Sequence, residues 1–494
     1  MSEETFMTFD DHFTAGLIPM FVDGRWTSAT EGGTFSTIDP GNGTRIAEVA
    51  QAGRADADLA VASARAAFDE ARWTGLSGAA RGQVLWSVAE RIAAAADQLA
   101  QLESRDMGIP VPQARMMVLE AAAQFRYYAG WADKIHGQTL DLGTHDRRIQ
   151  GYTLREPVGV VGMIVPWNAP LISASKKLAP ALAAGCACVL KPAEETPLTA
   201  MWLAEALHLA GVPDGVVNVV VGPGEVVGAA LAEHSDVDAI AFTGSTEIGR
   251  VIIGASRGNI KKVSLELGGK SPVIVMPDAD LDAAIPGVAS AVFWNTGQVC
   301  AAGTRLFVHQ DIHDQVVAGV AEEGRRLRIG YGADADVDLG PLISGRQLDR
   351  VASYVDAARR DGAEIVSGGR QVGDIGHFFE PTVVAGVDTS MSVMREEIFG
   401  PVLGVMSFSD VDEAIALAND SSFGLASSVW TRDGALAHSM ARRLRAGRVG
   451  INVHRAGGVY MPAGGYRQSG WGRENGAEAL ENYLEVKSVV STLA

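Results

Sequence analysis

The chain has 494 residues, of which 47% are hydrophobic and 20% are charged, a composition typical of a soluble α/β protein and not of a disordered chain. The length is enough for about three domains, and the net charge of −18 argues against a nucleic-acid partner, because phosphate binding requires clustered lysines and arginines. Three cysteines, an odd number, cannot form a disulfide framework, and no signal peptide is evident. No apolar stretch reaches the roughly 20 residues of a membrane span. We therefore expect a cytoplasmic protein that does not enter a membrane.

The first predicted elements are helices. Alanine-rich stretches with charges at helical spacing predict helices over 54–71, 79–104 and 112–136. Residues 138–155 alternate polar and apolar types without helix caps, which predicts extended structure.

Strands and helices then alternate. The predicted strands cover 160–165, 187–190, 216–221 and 239–242, and the predicted helices cover 171–184, a segment opened by Pro197, 225–233 and 247–255. This alternation predicts a parallel sheet that is covered on both faces.

A second α/β region is predicted from about Pro272 to Arg467. It starts with a strand over 272–276, and Asp278 or Asp280 is placed to cap the next helix. The segment 483–490 alternates like a strand but has no obvious local partner.

Cys300 is the candidate nucleophile. It lies in a turn of small residues, where the thiol is accessible and neighbouring backbone N–H groups can face an oxyanion. Cys186 and Cys188 lie in an apolar run and are predicted to be core. A free cysteine is usually a small buried hydrophobe, so catalysis by Cys300 depends on the groups that the fold brings to it.

Two glycine-containing turns after predicted strands suit a nucleotide. Gly244 and Ser245 lead into a helix, whose N-terminus suits a pyrophosphate, although a simple helix cap explains them equally well. The turn from Gly222 to Gly228 resembles a dinucleotide fingerprint with a different final spacing, and a tight strand–helix turn is the alternative.

A third turn follows the strand over 187–190. Lys191 and Glu194 lie at the carboxyl end of that strand, where both can reach ribose hydroxyls. Because an acid there repels the 2′-phosphate of NADP, NAD is the favoured cofactor.

Two polar residues complete the chemical set. Glu266 lies between leucines before a Gly-Gly turn, and desolvation would raise its pKa toward that of a general base; an ion pair with Lys270 or Lys262 is the alternative. Asn168 lies between two prolines after a strand and can donate to an oxyanion beside Cys300. We expect no metal site.

Together these motifs resemble the aldehyde dehydrogenase superfamily over nearly the whole chain. The matching blocks, in the family's order, are PWNAP (166–170), KPAEETP (191–197), FTGSTEIG (242–249), LELGGKSP (265–272), GQVCAAGTR (297–305), EEIFGPV (396–402) and PAGGYRQSGWGRENG (462–476). The resemblance implies an α/β fold with a doubly wound parallel-sheet NAD-binding domain (1–136 and 157–267), an α/β catalytic domain (268–477), and a small β bridging element for oligomerisation (137–156 and 478–494).

The resemblance also implies roles for individual residues. Cys300 would attack the aldehyde, Asn168 would stabilise the oxyanion, and Glu266 would activate the water that hydrolyses the thioester, with Lys177 and Glu474 relaying protons. The implied cofactor site consists of Ile164, Val165, Pro166, Trp167, Asn168, Lys191, Ala193, Glu194, Gly224, Gly228, Phe242, Thr243, Gly244, Ser245, Ile248, Glu266, Leu267, Gly268, Cys300, Glu397 and Phe399.

Departures from the family pattern bear on the substrate. The residues expected around the substrate tunnel are Ala169, Ser173, Lys176, Trp294, Val299, Ala301, Gly457 and Ala463. Because many relatives have aromatic residues in place of Ala169, Gly457 and Ala463, we predict a wide tunnel and a bulky apolar aldehyde, aromatic or cyclic. For Lys176, the simpler expectation is that its side chain points to solvent.

Two alternatives remain open. A semialdehyde dehydrogenase would need a cationic anchor for a distal carboxylate, with Lys176, Arg455 and Arg467 as candidates. A catalytically silent nucleotide-binding structural protein would not need Cys300, Glu266 and Asn168 together. In either case, the unpaired final strand predicts a homodimer or homotetramer.

Overall fold

The computed structural model describes residues 7–143, 148–455 and 457–492. Residues 144–147 and 493–494 of the predicted bridging element, and 1–6 of the predicted first domain, lie outside the described residues. The strands are β1 (Leu17–Ile18), β2 (Met20–Val22), β3 (Arg25–Thr27), β4 (Thr34–Ile38), β5 (Arg45–Ala50), β6 (Thr139–Leu140), β7 (Ile149–Pro157), β8 (Val160–Ile164), β9 (Ala187–Lys191), β10 (Val217–Val219), β11 (Ala239–Thr243), β12 (Lys262–Glu266), β13 (Pro272–Val275), β14 (Arg305–His309), β15 (Glu364–Ser367), β16 (Gln371–Val372), β17 (Phe378–Phe379), β18 (Thr382–Ala385), β19 (Val402–Phe408), β20 (Ala426–Trp430), β21 (Arg448–Ile451), β22 (Gly470–Trp471) and β23 (Leu484–Thr492).

Helices connect most of these strands. They are α1 (Phe9–Ala15), α2 (Arg54–Asp69), α3 (Gly78–Ala94), α4 (Ala96–Met107), α5 (Val111–Ala129), α6 (Pro170–Ala184), α7 (Leu198–Leu209), α8 (Ala229–Glu233), α9 (Thr246–Ala255), α10 (Leu281–Phe293), α11 (His313–Arg326), α12 (Gly345–Arg360), α13 (Ser392–Arg395), α14 (Val411–Asn419) and α15 (Gly434–Arg443). Across the described ranges, no helix is both long and apolar enough to cross a bilayer.

The first large sheet has the strand order β22-β12-β11-β8-β9-β10-β2-β3. Its five central strands, β12 to β10 in that order, are parallel, while β22 and β2 pair antiparallel at the two sides. Successive residues of β8 enter two different cores: Val161 and Met163 pack in one, and Val160 and Ile164 in the other. This alternation follows from the two-residue period of a strand that is covered on both faces.

The second large sheet has the order β15-β18-β19-β14-β13-β20-β21 and is parallel except for the edge strand β15. It is also covered on both faces, because Ile274 of β13 packs in one core and Val273 and Val275 pack in another. The predicted α/β class with parallel sheets is confirmed; the domain boundaries stay a prediction.

Two sequence-based expectations differ from the structure. The helix predicted over 79–104 is two helices, because the chain leaves helical geometry at Ala95, with φ −92° and ψ 10°. Asp280 occupies the N-cap position of α10 but makes no capping hydrogen bond. Asp278 instead accepts from the hydroxyl of Thr431 at 2.8 Å and from the backbone N–H groups of Arg432 and Asp433.

The final strand has a partner. β23 pairs antiparallel with β7 over its whole length, from Leu484 opposite Pro157 to Thr492 opposite Ile149. The partner lies more than 300 positions away in the sequence, so local patterning could not identify it. Strands β1 to β5 were also missed, since they are short and precede the first strongly periodic segment.

Candidate active site

Cys300 lies in a strained turn between α10 and β14. The two residues Asn295 and Thr296 have φ values of 49° and 55°, in the left-handed region that side chains disfavour. Hydrogen bonds hold them there: the Thr296 hydroxyl donates to the carbonyl of Gly340 at 2.9 Å, and the Asn295 amide donates to the carbonyl of Asn168 at 3.2 Å. Such strain persists where the surroundings determine one backbone path, which here fixes the thiol's position.

The two glycines of the turn after Glu266 lie in close contact with other segments of the site. A Cβ at Gly269 would lie 2.4 Å from the carbonyl oxygen of Cys300, and one at Gly268 would lie 2.2 Å from a carboxylate oxygen of Glu397. A side chain at position 269 would collide with the backbone of Cys300, so glycine is required there, whereas the Glu397 side chain near Gly268 can shift.

Two cavities meet at Cys300. One has a volume of about 370 Å³ and the other about 680 Å³. Five residues line both of them: Pro166, Asn168, Thr243, Glu266 and Cys300. A thiol and a carboxylate therefore lie where molecules from two separate cavities can meet.

The resting state of Cys300 is the thiol. The residue is only partly exposed, and burial, reinforced by the negative charge of Glu397, raises the pKa of the thiol to about 12. Lys176 acts in the opposite direction. The thiol therefore needs a base or a nearby positive charge before it can act as a nucleophile.

Glu266 makes neither of the ion pairs considered as alternatives. Lys262 pairs with Glu485 at 2.8 Å, and the Lys270 ammonium has no hydrogen-bond partner among the described residues. One carboxylate oxygen of Glu266 is likewise buried without a partner in the described chain. Burial, helped by the charge of Glu474, raises the pKa of Glu266 well above its usual value, as expected for a general base.

Behind Glu266 lies a buried ion pair. Lys177 of α6 donates to Glu474 at 2.7 Å, and the exposed fractions of the two side chains are 2% and 14%. Although burial alone would raise the pKa of Glu474, Lys177 and Lys176 hold it below its usual value. With these opposite pKa shifts a proton resides on Glu266, and Glu474 remains the anion of the pair with Lys177. The relay of protons through Glu474 and Lys177 stays a prediction.

Asn168 is tied to the Cys300 turn. Its amide nitrogen donates to the carbonyl of Gln298 at 2.8 Å. An Asn amide carries two N–H donors, so one is used to fix the side chain and a second can reach an oxyanion.

Sequence reasoning missed a histidine that supports the same turn. His454 is buried, and its Nε2 lies 2.8 Å from the carbonyl oxygen of Ala301, the residue after Cys300. Because a carbonyl only accepts, Nε2 carries the proton and Nδ1 accepts from the Ser428 hydroxyl at 2.9 Å. Burial lowers the pKa of His454 to about 4, so it is a neutral hydrogen-bonding support.

The larger cavity contains part of the predicted cofactor site. Its predicted lining residues are Pro166, Trp167, Asn168, Thr243, Gly244, Ser245, Glu266, Leu267, Gly268, Cys300, Glu397 and Phe399. The rings of Trp167 and Phe399 meet edge to face at 5.2 Å, and Glu397 accepts from the backbone N–H of Gly269 at 3.0 Å.

Two residues of α12 that were not predicted support the side of the larger cavity that Glu397 and Phe399 form. Arg350 donates to the carbonyl of Glu397 at 2.6 Å, and Gln347 donates to that of Phe399 at 2.8 Å. Helix α12 has the pattern of an ordinary amphipathic surface helix, so the sequence carries no signal for this function.

The remaining predicted cofactor residues lie outside that cavity, at the carboxyl ends of neighbouring strands and nearby turns. They are Ile164, Val165, Lys191, Ala193, Glu194, Gly224, Gly228, Phe242 and Ile248. Glu194 accepts from Lys191 at 3.0 Å and from the backbone N–H of Gly224 at 2.8 Å, so two of the predicted turns are in contact. Ser245 caps α9 by accepting from the backbone N–H of Ile248, and it also lines the larger cavity, so its contact with a phosphate stays a prediction.

All eight predicted tunnel residues line the smaller cavity: Ala169, Ser173, Lys176, Trp294, Val299, Ala301, Gly457 and Ala463. The expectation that Lys176 points to solvent is therefore wrong, since it lines the cavity and acts on the charges within it. Arg455 also lines the cavity, whereas Arg467 lines neither cavity and donates to the carbonyls of Asn419 and Ser421.

Glu120 and Arg448 line the smaller cavity and were not predicted. Neither position has a local pattern that distinguishes it from a surface charge. In the part of the chain that is described, no cluster of three or more His, Cys, Asp or Glu side chains could hold a metal ion.

Comparison with known proteins gives consistent matches. The aldehyde dehydrogenase family model matches residues 26–489. Betaine aldehyde dehydrogenase of Bacillus subtilis is 45% identical over 474 residues, covering 95% of this chain and 96% of that protein. The mitochondrial benzaldehyde dehydrogenase of Antirrhinum majus is 43% identical over 477 residues, covering 96% and 89%.

Solved structures agree. An NAD+ complex of aldehyde dehydrogenase from Bacillus cereus is 42% identical, superposes with a TM-score of 0.96, and covers 98% of both chains. The two sequence relatives are almost equally similar to this chain, although their names give one a cationic and the other an apolar aldehyde. Overall identity therefore does not determine the substrate.

Proposed function

This chain belongs to the aldehyde dehydrogenase family, and we propose that it oxidises a bulky aldehyde to the carboxylic acid with NAD as cofactor. The observation that carries the proposal is the position of Cys300 and Glu266, which line both cavities where these meet. A catalytically silent protein would have no need to keep, in the same junction as a thiol, a buried carboxylate with one oxygen that has no partner among the described residues.

The larger cavity fits a nicotinamide nucleotide. Its volume of about 680 Å³ and the N-terminus of α9 provide space and backbone N–H donors. Glu397 would hold the nicotinamide ribose, and Lys191 with Glu194 would hold the adenosine ribose. The acid at Glu194 disfavours the 2′-phosphate of NADP. When bound, NAD supplies the hydride acceptor.

In the smaller cavity, Cys300 would attack the aldehyde carbon as a thiolate. The new C–S bond converts the carbonyl oxygen into an oxyanion, which the free N–H of the Asn168 amide can stabilise together with a backbone N–H of the Cys300 turn. Loss of hydride from this thiohemiacetal leaves a thioester on Cys300.

Glu266 would then activate a water molecule. The carboxylate takes a proton from the water, the hydroxide attacks the thioester carbon, and the C–S bond breaks to release the acid and regenerate Cys300. Glu474 and Lys177 lie behind Glu266 and can pass the proton on.

The size of the substrate follows from the cavity walls. Small residues at Ala169, Gly457 and Ala463 leave a cavity of about 370 Å³, with Trp294 on one wall. This space suits an aromatic or cyclic aldehyde better than acetaldehyde.

A substrate panel tests the proposal. Purified protein is assayed with NAD or NADP and with acetaldehyde, hexanal, benzaldehyde and semialdehydes, and NADH or NADPH is followed by absorbance. We expect reduction of NAD with a bulky aldehyde favoured in kcat/KM. A preference for acetaldehyde would contradict the wide cavity, and the absence of any oxidation would favour the silent structural protein.

We also propose that the protein is a cytoplasmic homodimer or homotetramer. The three cysteines are free, and a reducing compartment keeps the Cys300 thiol reactive. The long edge strand β23 and its neighbour β7 expose apolar side chains, which supports their contact with a second copy.

A further inference from the structure

A buried lysine lies close to the larger cavity without lining it. Lys270 follows the Gly-Gly turn after Glu266, is only 2% exposed, and lines neither of the two cavities that meet at Cys300. Its Nζ has no hydrogen-bond partner among the described residues. Because a buried ammonium without hydrogen bonds is unfavourable, its charge depends on a nearby carboxylate.

Glu397 is the carboxylate that lies against the same turn. One of its carboxylate oxygens accepts from the backbone N–H of Gly269, the residue before Lys270, at 3.0 Å. A Cβ at Gly268 would lie 2.2 Å from the other oxygen. Two consecutive residues of the turn therefore hold this carboxyl next to Lys270, while its other side faces the larger cavity.

Lys270 and Glu397 each support the charge of the other. Burial raises the pKa of Glu397 to about 7, against the lowering effects of the Gly269 N–H and of Lys270. Burial, with the charge of Arg305, lowers the pKa of Lys270 to about 7, and Glu397 acts against this shift. The two groups therefore change their charge over the same pH range.

Other charges act on Lys270 from three sides. The Arg305 guanidinium donates to the carbonyl of Lys270 at 2.9 Å and disfavours its positive charge, as does the charge of Arg350. Glu396 acts in the same direction as Glu397 and favours the ammonium. Since Arg305 also donates to carbonyls at the end of α14, it is fixed in place.

Three charged groups act on Glu397. Lys270 favours its carboxylate form, and so does Arg350, which donates to the backbone carbonyl of Glu397 at 2.6 Å. Glu247 acts in the opposite direction. The effect of Lys270 is larger than that of Arg350, so the loss of Lys270 would favour protonated Glu397.

We propose that Lys270 is a positioning residue of the cofactor site, which keeps Glu397 a carboxylate at neutral pH. The inference rests on the proposed function, in which Glu397 holds the nicotinamide ribose. A carboxylate only accepts hydrogen bonds and can take one from each of two ribose hydroxyls, whereas a protonated carboxyl carries an O–H that needs an acceptor of its own. Lys270 would thus strengthen cofactor binding without contacting the cofactor.

Binding of three nucleotides isolates this effect. Calorimetric titration with ADP, ADP-ribose and NAD requires no aldehyde and no turnover, and ADP lacks the ribose that would reach Glu397. Lys270→Met keeps the length of the side chain and removes its charge. Affinity for ADP-ribose and NAD should fall roughly tenfold at about pH 7, the size of a charge-assisted hydrogen bond, while affinity for ADP stays unchanged.

The dependence on pH distinguishes this role from a structural one. Because Lys270 lowers the pKa of Glu397, its removal should raise that pKa, so that the carboxylate forms only at higher pH. The deficit of Lys270→Met for ADP-ribose should therefore be largest below pH 7 and disappear in alkali. A deficit of the same size at every pH would overturn the inference.

A second position locates the effect. Glu397→Gln has a side chain of the same length that does not titrate, and its affinity for ADP-ribose should not depend on Lys270. Adding Lys270→Met to Glu397→Gln should then cause no further loss, and a further tenfold loss would overturn the inference. Lys134→Met removes an exposed lysine and should bind all three nucleotides like wild type.

ADP binding also reports whether the variants fold. Lys270→Met is expected to fold, because an apolar side chain of similar volume is usually tolerated in place of a buried charge. Lys270→Gln removes the same charge and should show the same selective loss. If both variants lose ADP and ADP-ribose affinity alike, or if neither loses any, the inference is overturned and the proposed function stands. A wild type that does not bind NAD would overturn both.

Discussion

At the scale of single residues, Cys300 and Glu266 make separable contributions to the proposed reaction. Cys300→Ala removes the atom that forms the C–S bond, so we expect no NADH above background. Glu266→Gln keeps the thiol but removes the base for hydrolysis, and steady-state kcat should fall roughly 10²- to 10⁴-fold. Rapid mixing should then show a burst of NADH of about one per active site, because acylation precedes hydrolysis.

The burst distinguishes the two steps. A variant Glu266→Gln with full steady-state turnover would contradict the general-base role. A variant with neither burst nor turnover would place Glu266 in the first half of the reaction, as the group that deprotonates Cys300.

Lys176 shifts the pH range in which these groups work toward lower pH. It lowers the pKa of Cys300, Glu266 and Glu474, although burial is the largest influence on each. Since the base must be deprotonated, activity should rise with pH along the acidic limb. Lys176→Met should move that limb to higher pH, with a severalfold loss of benzaldehyde kcat/KM at about pH 7 and recovery in alkali. Lys134→Met, on the surface, is the control, and coincident profiles would exclude the electrostatic role.

The sequence was informative about residues that carry chemistry within recognisable blocks. Cys300, Glu266 and Asn168 lie in such blocks, and the structure brings them to one junction. Arg448, Glu120 and His454 carry no such signal, because each acts through a contact made by tertiary packing. Arg467, in contrast, was proposed as an anchor from its charge alone, and its guanidinium is used on backbone carbonyls.

At the scale of elements, α4 supports two other helices through buried acids. Glu103 accepts from the backbone N–H of Leu171 at 3.0 Å, in the first turn of α6, and Asp106 accepts from that of Leu198 at 3.1 Å, at the start of α7. Both satisfy donors that helix N-termini leave unpaired. Helix α6 carries Lys176 and Lys177, so α4 contributes to the position of the site.

This arrangement predicts a pH-dependent stability. Burial raises the pKa of Glu103 from 4.5 to about 7 in the folded protein. The folded state therefore binds the proton of Glu103 more tightly than the unfolded state does. The resulting contribution to the free energy of unfolding is fully present below pH 4.5 and is lost as pH rises to about 7. Glu103→Gln keeps an acceptor and removes the titration. The stability of this variant relative to wild type should therefore increase as pH rises over that interval, by up to about 3 kcal/mol in the free energy of unfolding, and its Tm should rise relative to wild type accordingly.

Thermal unfolding at several pH values measures this difference. The exposed carboxylate Asp97 lies on the same helix, and Asp97→Asn is the control that should follow wild type at every pH. Parallel Tm curves for wild type and Glu103→Gln would show that Glu103 does not titrate in this range.

Elements were predicted well where periodicity extends over many residues and less well elsewhere. The parallel strands β8, β9 and β11 are buried apolar runs, so their pattern is unambiguous. The break at Ala95 was missed because alanine favours a helix and nothing in the local pattern opposes it. The first five strands are short and partly exposed, so their patterns are weak, and β2 joins the large sheet only through β10, far away in the sequence.

At the scale of the whole molecule, the ribbon formed by β7 and β23 lacks a core of its own. Val486 and Val490 are 62% and 63% exposed on one face, and Tyr152 and Leu154 are 41% and 39% exposed on the other, as the register assigns them. In the described chain β23 is an edge strand nine residues long, a surface that isolated proteins usually protect. We therefore expect a second copy to cover it.

Charge on that ribbon should dissociate the assembly. The double variant Val486→Lys and Val490→Lys places two like charges where apolar contact is expected, so light scattering after size exclusion should show a shift toward monomer. Ile375 is 71% exposed at a different place on the surface, and Ile375→Lys should keep the wild-type mass. A monomeric wild type, or a double variant of unchanged mass, would contradict the predicted role of the ribbon. Because the ribbon contributes no residue to either cavity, dissociation should lower stability more than it changes KM.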